Sequence, residues 1–227
     1  MEFSKRFIPA RLKPFRREFR DRPFALLDLG IGDHSPSITK HWFPRCTYHG
    51  VDRRPLPDDH PERAFVDAFT VMDLDTADLA ELPDAHFDVI VASHLIEHLQ
   101  NGLRLLERLA RKLKPGGKIY IEFPSLRSLS LPRDRGILHF SDDPTHVRLY
   151  DIKEVVNTLL GNGITILRAG RRRERMRLLF APLFLTVYAV RRALGKSPQS
   201  WYLWDVLGFA DFVLGEKTTR PHGGSRT

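Results

Sequence analysis

Apolar residues in this chain gather into short unbroken runs, and the spacing of those runs predicts an architecture. Residues 24–29, 47–51, 69–72, 87–92, 118–123, 164–167 and 209–214 each read as a strand. The clearest is 87–92, a continuous apolar run of the kind buried on both faces of a parallel sheet. Between the strands the period changes. Residues 35–41 read as the start of a crossover helix, shortened by Pro36 and Pro44. Leu95, Leu99, Leu103, Leu106, Leu109 and Leu113 recur at helical spacing and predict a helix that Pro115-Gly116-Gly117 ends. Asp151 with Glu154 three residues later predicts a capping box and a helix running to Gly161 or Gly163. Strands alternating with helices predict an α/β, Rossmann-like fold: a mostly parallel seven-stranded sheet with helices on both faces. The last strand alone follows no crossover helix of ordinary length.

The first strand leads into the most informative stretch, Leu27-Asp28-Leu29-Gly30-Ile31-Gly32, and Asp52 follows twenty residues past Gly32. Glycines in the turn after a parallel strand let the backbone approach a ligand, and an acid at the tip of the next strand can accept hydrogen bonds from both ribose hydroxyls. A dinucleotide fingerprint needs a third glycine, and here that position is Ser35, followed by Pro36. Asp28 would repel a pyrophosphate but suits an ammonium or sulfonium. The pattern favours S-adenosylmethionine over a nicotinamide dinucleotide.

Taken in order, these pieces resemble the class I S-adenosylmethionine-dependent methyltransferases. The residues that carry the resemblance are Asp28-Leu29-Gly30-Ile31-Gly32, Gly50-Val51-Asp52, Met72-Asp73-Leu74, Ser93-His94-Leu95-Ile96-Glu97-His98-Leu99 after the fourth strand, Leu113-Lys114-Pro115-Gly116-Gly117, and His146-Val147-Arg148-Leu149-Tyr150. It covers residues 24–170 and the final strand. It implies that Asp28, Gly30 and Gly32 face the methionine moiety, with Asp28 near the ammonium, and that Asp52 takes the ribose. It implies that Asp73 faces the adenine amino group, that Leu74 offers its backbone amide, and that Ser93 and His94 stand where donor methyl meets acceptor. The departure is His34-Ser35-Pro36, where the family more often has small residues.

Methyl transfer from a sulfonium needs alignment above all, and a hydroxyl acceptor also needs a base. Histidine titrates near neutrality, so His94, His98, His139 and His146 are the candidates, with His94 first and His98 next in the catalytic assignment. Spacing also places His94, Glu97 and His98 on one helical turn, which His139 or His146 could complete as a divalent site. This array is similar to that of metal-assisted 2′-O-methyltransferases of small-RNA ends, but His94 stands where those have a carboxylate. The expectation is therefore no metal.

Charge divides the 227-residue chain, whose formal net charge is +8. Residues 1–23 carry eight Lys/Arg against three acids, and 168–196 carry nine against one. The segment between them is mildly acidic, which argues against a protein that coats nucleic acid uniformly. The expected organisation is a basic N-terminal arm at 1–23, a methyltransferase domain at 24–170 and 205–217, a basic apolar helical insertion at 171–204, and a flexible tail at 218–227. Within the insertion, residues 178–190 carry no charge, are too few to span a bilayer, and are flanked by arginines and by Trp201, Tyr202 and Trp204. It reads as a lid or homodimer contact, as a surface for anionic membrane, or as an RNA-binding element. A single cysteine, Cys46, excludes an internal disulfide framework, and the basic, proline-broken start resembles no signal peptide. A cytoplasmic, membrane-associated enzyme is expected, O-methylating a small molecule or a glycan- or lipid-linked precursor. RNA methylation and non-catalytic cofactor binding are the alternatives.

Overall fold

The computed structural model describes residues 7–32, 34–133, 138–196 and 203–219. Seven strands form one sheet: β1 (Phe24–Leu29), β2 (Cys46–Asp52), β3 (Ala68–Val71), β4 (Phe87–Ser93), β5 (Leu113–Pro124), β6 (Ile164–Arg171) and β7 (Ala210–Lys217). Their order is β3-β2-β1-β4-β5-β7-β6. β7 runs antiparallel to β5 and β6, and the other pairings are parallel. Strand order reverses between β1 and β4, which opens a crevice at their carboxyl ends. The helices are α1 (Arg16–Phe19), α2 (Ser35–Trp42), α3 (Gly102–Lys112), α4 (Ile152–Gly161), α5 (Arg175–Leu179), α6 (Ala181–Ala193) and α7 (Trp204–Leu207).

Side chains alternate across a strand, so β1 feeds two cores. Leu27 and Leu29 pack with Leu105, Leu106 and Leu109 of α3 and with Val155 and Leu159 of α4. Phe24 and Leu26 pack with Leu12, Phe15, Phe19 and Phe43. The segment expected as a basic arm thus contributes to the second core. The Phe19 ring lies 4.6 Å from that of Phe24, and its neighbour Glu18 pairs with Lys118 of β5 at 2.5 Å. Phe3, Trp201, Tyr202 and residues 220–227 of the expected tail lie outside the described residues.

Most predicted elements recur within a residue or two, and the capping box forms. Asp151 Oδ1 accepts from Lys153 N at 2.9 Å, and Glu154 Oε2 accepts from Asp151 N at 3.0 Å. One element differs in a way that matters for the site. The helix expected from Leu95 starts only at Gly102, and residues 96–98 form a 3-10 turn instead. The Tyr150 hydroxyl accepts from Gly102 N at 3.0 Å and donates to Leu99 O at 2.9 Å. A Cβ at Gly102 would lie 2.6 Å from that hydroxyl, so only glycine fits at the helix start. At the other end Leu113 has left the helix for β5, which contains Pro115-Gly116-Gly117 and shifts register between Phe87 and Val89 of β4.

Candidate active site

Five loops at the carboxyl ends of the strands enclose a cleft of about 860 Å³. On one side the chain leaves β1 through Gly30 and Gly32, both with positive φ (68° and 55°). Gly30 N donates to Val51 O at 2.8 Å, which fixes the turn to β2. Nothing lies within 4 Å of a Cβ built on Gly32, so the backbone there is open to an incoming group. Asp52 ends β2 on the cleft wall, its Oδ1 accepting from Arg54 N at 3.1 Å. Asp73 and Leu74 follow β3 on the same wall, with Asp73 Oδ1 accepting from Asp75 N at 3.0 Å. Two acids beside an open glycine turn fit a nucleoside with a cationic tail better than a polyphosphate. These residues therefore suit S-adenosylmethionine.

Asp28 and Ser93 are not on the wall. Asp28 is buried, and its Oδ2 accepts from the Tyr48 hydroxyl at 2.7 Å and from Ser35 Oγ, which Arg11 Nη2 contacts in turn at 3.0 Å. Burial raises the Asp28 carboxyl above its ordinary range, against the opposing pull of Arg11 and the two hydroxyls. The acid expected beside the ammonium instead ties the start of α2 to β2, behind the glycine turn. Ser93 closes β4 in register with Glu122 of β5.

At the other end of the cleft His94 has φ 54°, unusual for a residue with a side chain. Its backbone N donates to Glu122 O at 2.8 Å, and its ring is held between two carboxylates. Nδ1 lies 3.1 Å from Glu97 Oε1, and Nε2 lies 3.0 Å from Glu122 Oε1. Burial disfavours the charged ring, but the two carboxylates outweigh it and raise His94 to about 9. Burial likewise works against an ionised Glu122, yet Arg172, His94 and Tyr120 hold it at about 2. Arg172 Nη1 donates to Glu122 Oε1 at 2.7 Å, and its Nε donates to Asp205 Oδ1 at 3.0 Å. Arg177 Nη1 reaches Asp205 Oδ2 at 2.8 Å, and Trp204 packs on the His94 ring at 4.9 Å.

An imidazolium with both nitrogens committed to carboxylates has no lone pair to accept a proton. This geometry weighs against the expectation of a general base at His94. His98 differs. Its Nδ1 faces Thr145 O at 3.2 Å and Thr145 Oγ1 at 2.9 Å, and Thr145 Oγ1 donates to Asp143 at 2.6 Å. A neutral ring anchored through Nδ1–H on that carbonyl presents its lone pair at Nε2. Val147 N and Arg148 N both donate to Glu97 O, so the stretch 145–150 clamps the 3-10 turn that bears Glu97 and His98.

Among the described residues, Glu97, His98 and His146 bring ligand-type atoms within 4.8 Å of one another. His146 Nδ1 is anchored on Phe140 O at 2.7 Å, and Glu97 Oε2 is buried with no hydrogen-bond partner. These three side chains could hold a divalent ion, since two imidazoles and a carboxylate are a known ligand set. His139, the remaining candidate, is committed to Leu129 O and Ser141 N. The sequence reading missed Glu122, Arg172 and Asp205. Its one available signal was an acid inside the apolar run of β5.

Fold and site together define a class I S-adenosylmethionine-dependent methyltransferase. A family model described as a methyltransferase domain matches residues 3–169, and the chain belongs to that family. A probable S-adenosylmethionine-dependent methyltransferase of Mycobacterium tuberculosis is 35% identical over 89 residues, which cover 38% of this chain and 31% of the relative. The matched stretch is thus about a third of the length of such curated relatives. An S-adenosylmethionine-dependent methyltransferase from Archaeoglobus fulgidus superposes with TM-score 0.62 at 22% identity, covering 95% of this chain and 94% of that one. Haemonchus contortus phosphoethanolamine N-methyltransferase 2, solved with S-adenosylmethionine, gives TM-score 0.60 at 20% identity over 92% and 51% of the two chains.

The pairing around His94 has a pH signature. A folded value of about 9 against an ordinary 6.5 means the protonated ring stabilises the fold fully below pH 6.5. That contribution falls as pH rises through 9. Urea unfolding across this window should show the wild type losing stability steadily and His94→Gln losing less. A wild type with a flat profile would contradict the pairing.

Proposed function

We propose that this chain transfers a methyl group from S-adenosylmethionine to a hydroxyl of a small molecule or of a glycan- or lipid-linked precursor. The observation that carries the reading is the anchoring of His98 Nδ1 on Thr145 O and Oγ1, which leaves Nε2 as the acceptor of a neutral ring in the same cleft as Asp52 and Asp73. The bound cofactor supplies an electrophilic methyl on a sulfonium. The chain's own residues hold and align the reactants. Asp52 takes the ribose hydroxyls, Asp73 and the Leu74 amide take the adenine, and Gly30 and Gly32 admit the methionine tail. His98 removes the proton of the acceptor hydroxyl as its oxygen attacks. His94 fixes the loop between donor and acceptor, and its positive charge is balanced by Glu97 and Glu122, which spares the sulfonium from repulsion.

A second reading, metal-assisted methylation of an RNA 2′-hydroxyl, is favoured by the cluster of Glu97, His98 and His146 and by the partnerless Glu97 Oε2. His94, standing where a carboxylate would complete the ligand set, argues for the metal-free route. The burial of Phe15 and Phe19 argues against base stacking on them, and Phe7 is the exposed aromatic among the described residues of that segment.

Incubation with labelled cofactor and separate metabolite, lipid and RNA extracts identifies the acceptor class, and labelling of RNA alone would favour the second reading. Asp52→Ala should weaken cofactor binding by about 1–3 kcal/mol in titration calorimetry. Unchanged affinity would remove Asp52 from the site. His98→Ala should lower turnover on the order of 10²–10⁴-fold with cofactor affinity retained. Turnover should survive exhaustive chelation. Activity that vanishes and returns only with a divalent ion would make Glu97, His98 and His146 its ligands.

A further inference from the structure

Helix α6 is built the wrong way round for a helix on a water-facing surface. Such helices turn apolar residues inward and charged residues outward. Here Leu183, Val187, Val190 and the C-cap Leu194 fall at i, i+4, i+7 and i+11 on one face, and all four are exposed, Leu183 at 57% and Leu194 at 64%, while Leu185 is exposed on a second face. The half-buried positions Ala181, Phe184, Tyr188 and Arg191 lie on another face, which is the one turned toward the protein. No residue of α6 is fully buried. Leu179 and Phe180 extend the exposed apolar surface into the turn before the helix.

Charge specifies what such a stripe meets. Arg191, Arg192 and Lys196 stand at the carboxyl end of α6, and Arg173 precedes α5 on an exposed position, while Arg171 beside it pairs with Asp211 at 3.9 Å. Glu174 is the only acid between residues 168 and 196, and Lys13 pairs with it at 2.9 Å. Cations flanking an exposed apolar helix match an anionic lipid surface, where the apolar stripe enters the acyl boundary and the basic groups meet phosphate. At 13 residues the helix is about 20 Å long, short of the ~30 Å hydrocarbon core, so it lies in the interface. Among the described residues, no helix is long and apolar enough to cross a membrane.

The helix is also wired to the cleft. Arg177 of α5 and Arg172 both bind Asp205 of α7, and the neighbouring Trp204 packs against His94 on the cleft wall. We propose that α5 and α6 dock this chain on an anionic membrane surface and bring the His94 end of the cleft to an acceptor held at that surface. The docking stands on the helix alone. The acceptor's place rests on the methyltransferase reading above and narrows it to the lipid-linked class.

The test is co-sedimentation of the full chain with vesicles of phosphatidylcholine alone or mixed with phosphatidylglycerol, across a salt series. Binding is expected to the mixed vesicles and to weaken as salt rises, since charge is screened within about 10 Å at moderate salt. Arg192→Gln and Lys196→Gln should each weaken it roughly fivefold. Leu183→Glu with Val187→Glu should abolish it while leaving the circular dichroism spectrum and the cofactor affinity in solution unchanged. Absence of binding to either vesicle would overturn the proposal. So would self-association in scattering that the Leu183→Glu, Val187→Glu variant abolishes, which would make the stripe a contact between copies. Retention by RNA without vesicle binding would overturn it too. Cofactor titration without vesicles keeps the two readings apart: its failure sinks the methyltransferase reading and leaves the docking result standing.

Discussion

A histidine ring clamped between two carboxylates at the carboxyl ends of β4 and β5 is the interaction on which this structure turns. Glu122 projects from a strand buried on both sides, where an ionised acid is tolerated only if it is paired and hydrogen-bonded. His94, Arg172 and Tyr120 provide that pairing, and Glu97 completes the enclosure of His94. The groups come from several parts of the chain. β5, the loop after β4, the end of β6 and, through Asp205, α7 are joined at one point. Removing one member of a buried ion pair typically costs about 3–5 kcal/mol, because the remaining charge is stranded. The positive φ of His94 is a strain the pairing sustains.

This arrangement divides the cleft into two halves of different chemistry. The half formed by β1, β2 and β3 is made of backbone turns and exposed acids, suited to a nucleoside with a cationic tail. The half formed by the loop after β4 and by residues 145–150 is cross-linked by hydrogen bonds and rich in imidazole. The charge that His94 brings is cancelled locally, so the cleft can accept a sulfonium without a standing positive field. The insertion between β6 and β7 joins the same network through Arg172, Arg177 and Asp205. A surface element and the His94 side of the cleft are therefore joined through side chains.

The sheet was readable in the sequence because parallel strands buried on both faces must be apolar throughout, as 87–92 is. The glycine turn after β1, the acid ending β2 and the capping box at Asp151 were readable because each is local. What stayed hidden depends on residues far apart. The start of α3 is set by Tyr150, 48 positions from Gly102. The protonation of His94 is set by Glu122 and Arg172, which no spacing around Glu97 and His98 encodes. In the N-terminal segment the cations read as a basic arm or helix, and Leu12, Phe15 and Phe19 between them are core residues, a packing their charge pattern does not encode.

The central claim is that His94 is a fixed imidazolium and not a base. Nitrogen-15 chemical shifts of the His94 ring, followed from pH 6 to pH 10, test it directly, because both nitrogens report their protonation. The account predicts that both remain protonated at neutral pH and that the ring titrates near 9. A neutral ring at pH 7.5, titrating near the ordinary 6.5, would contradict it.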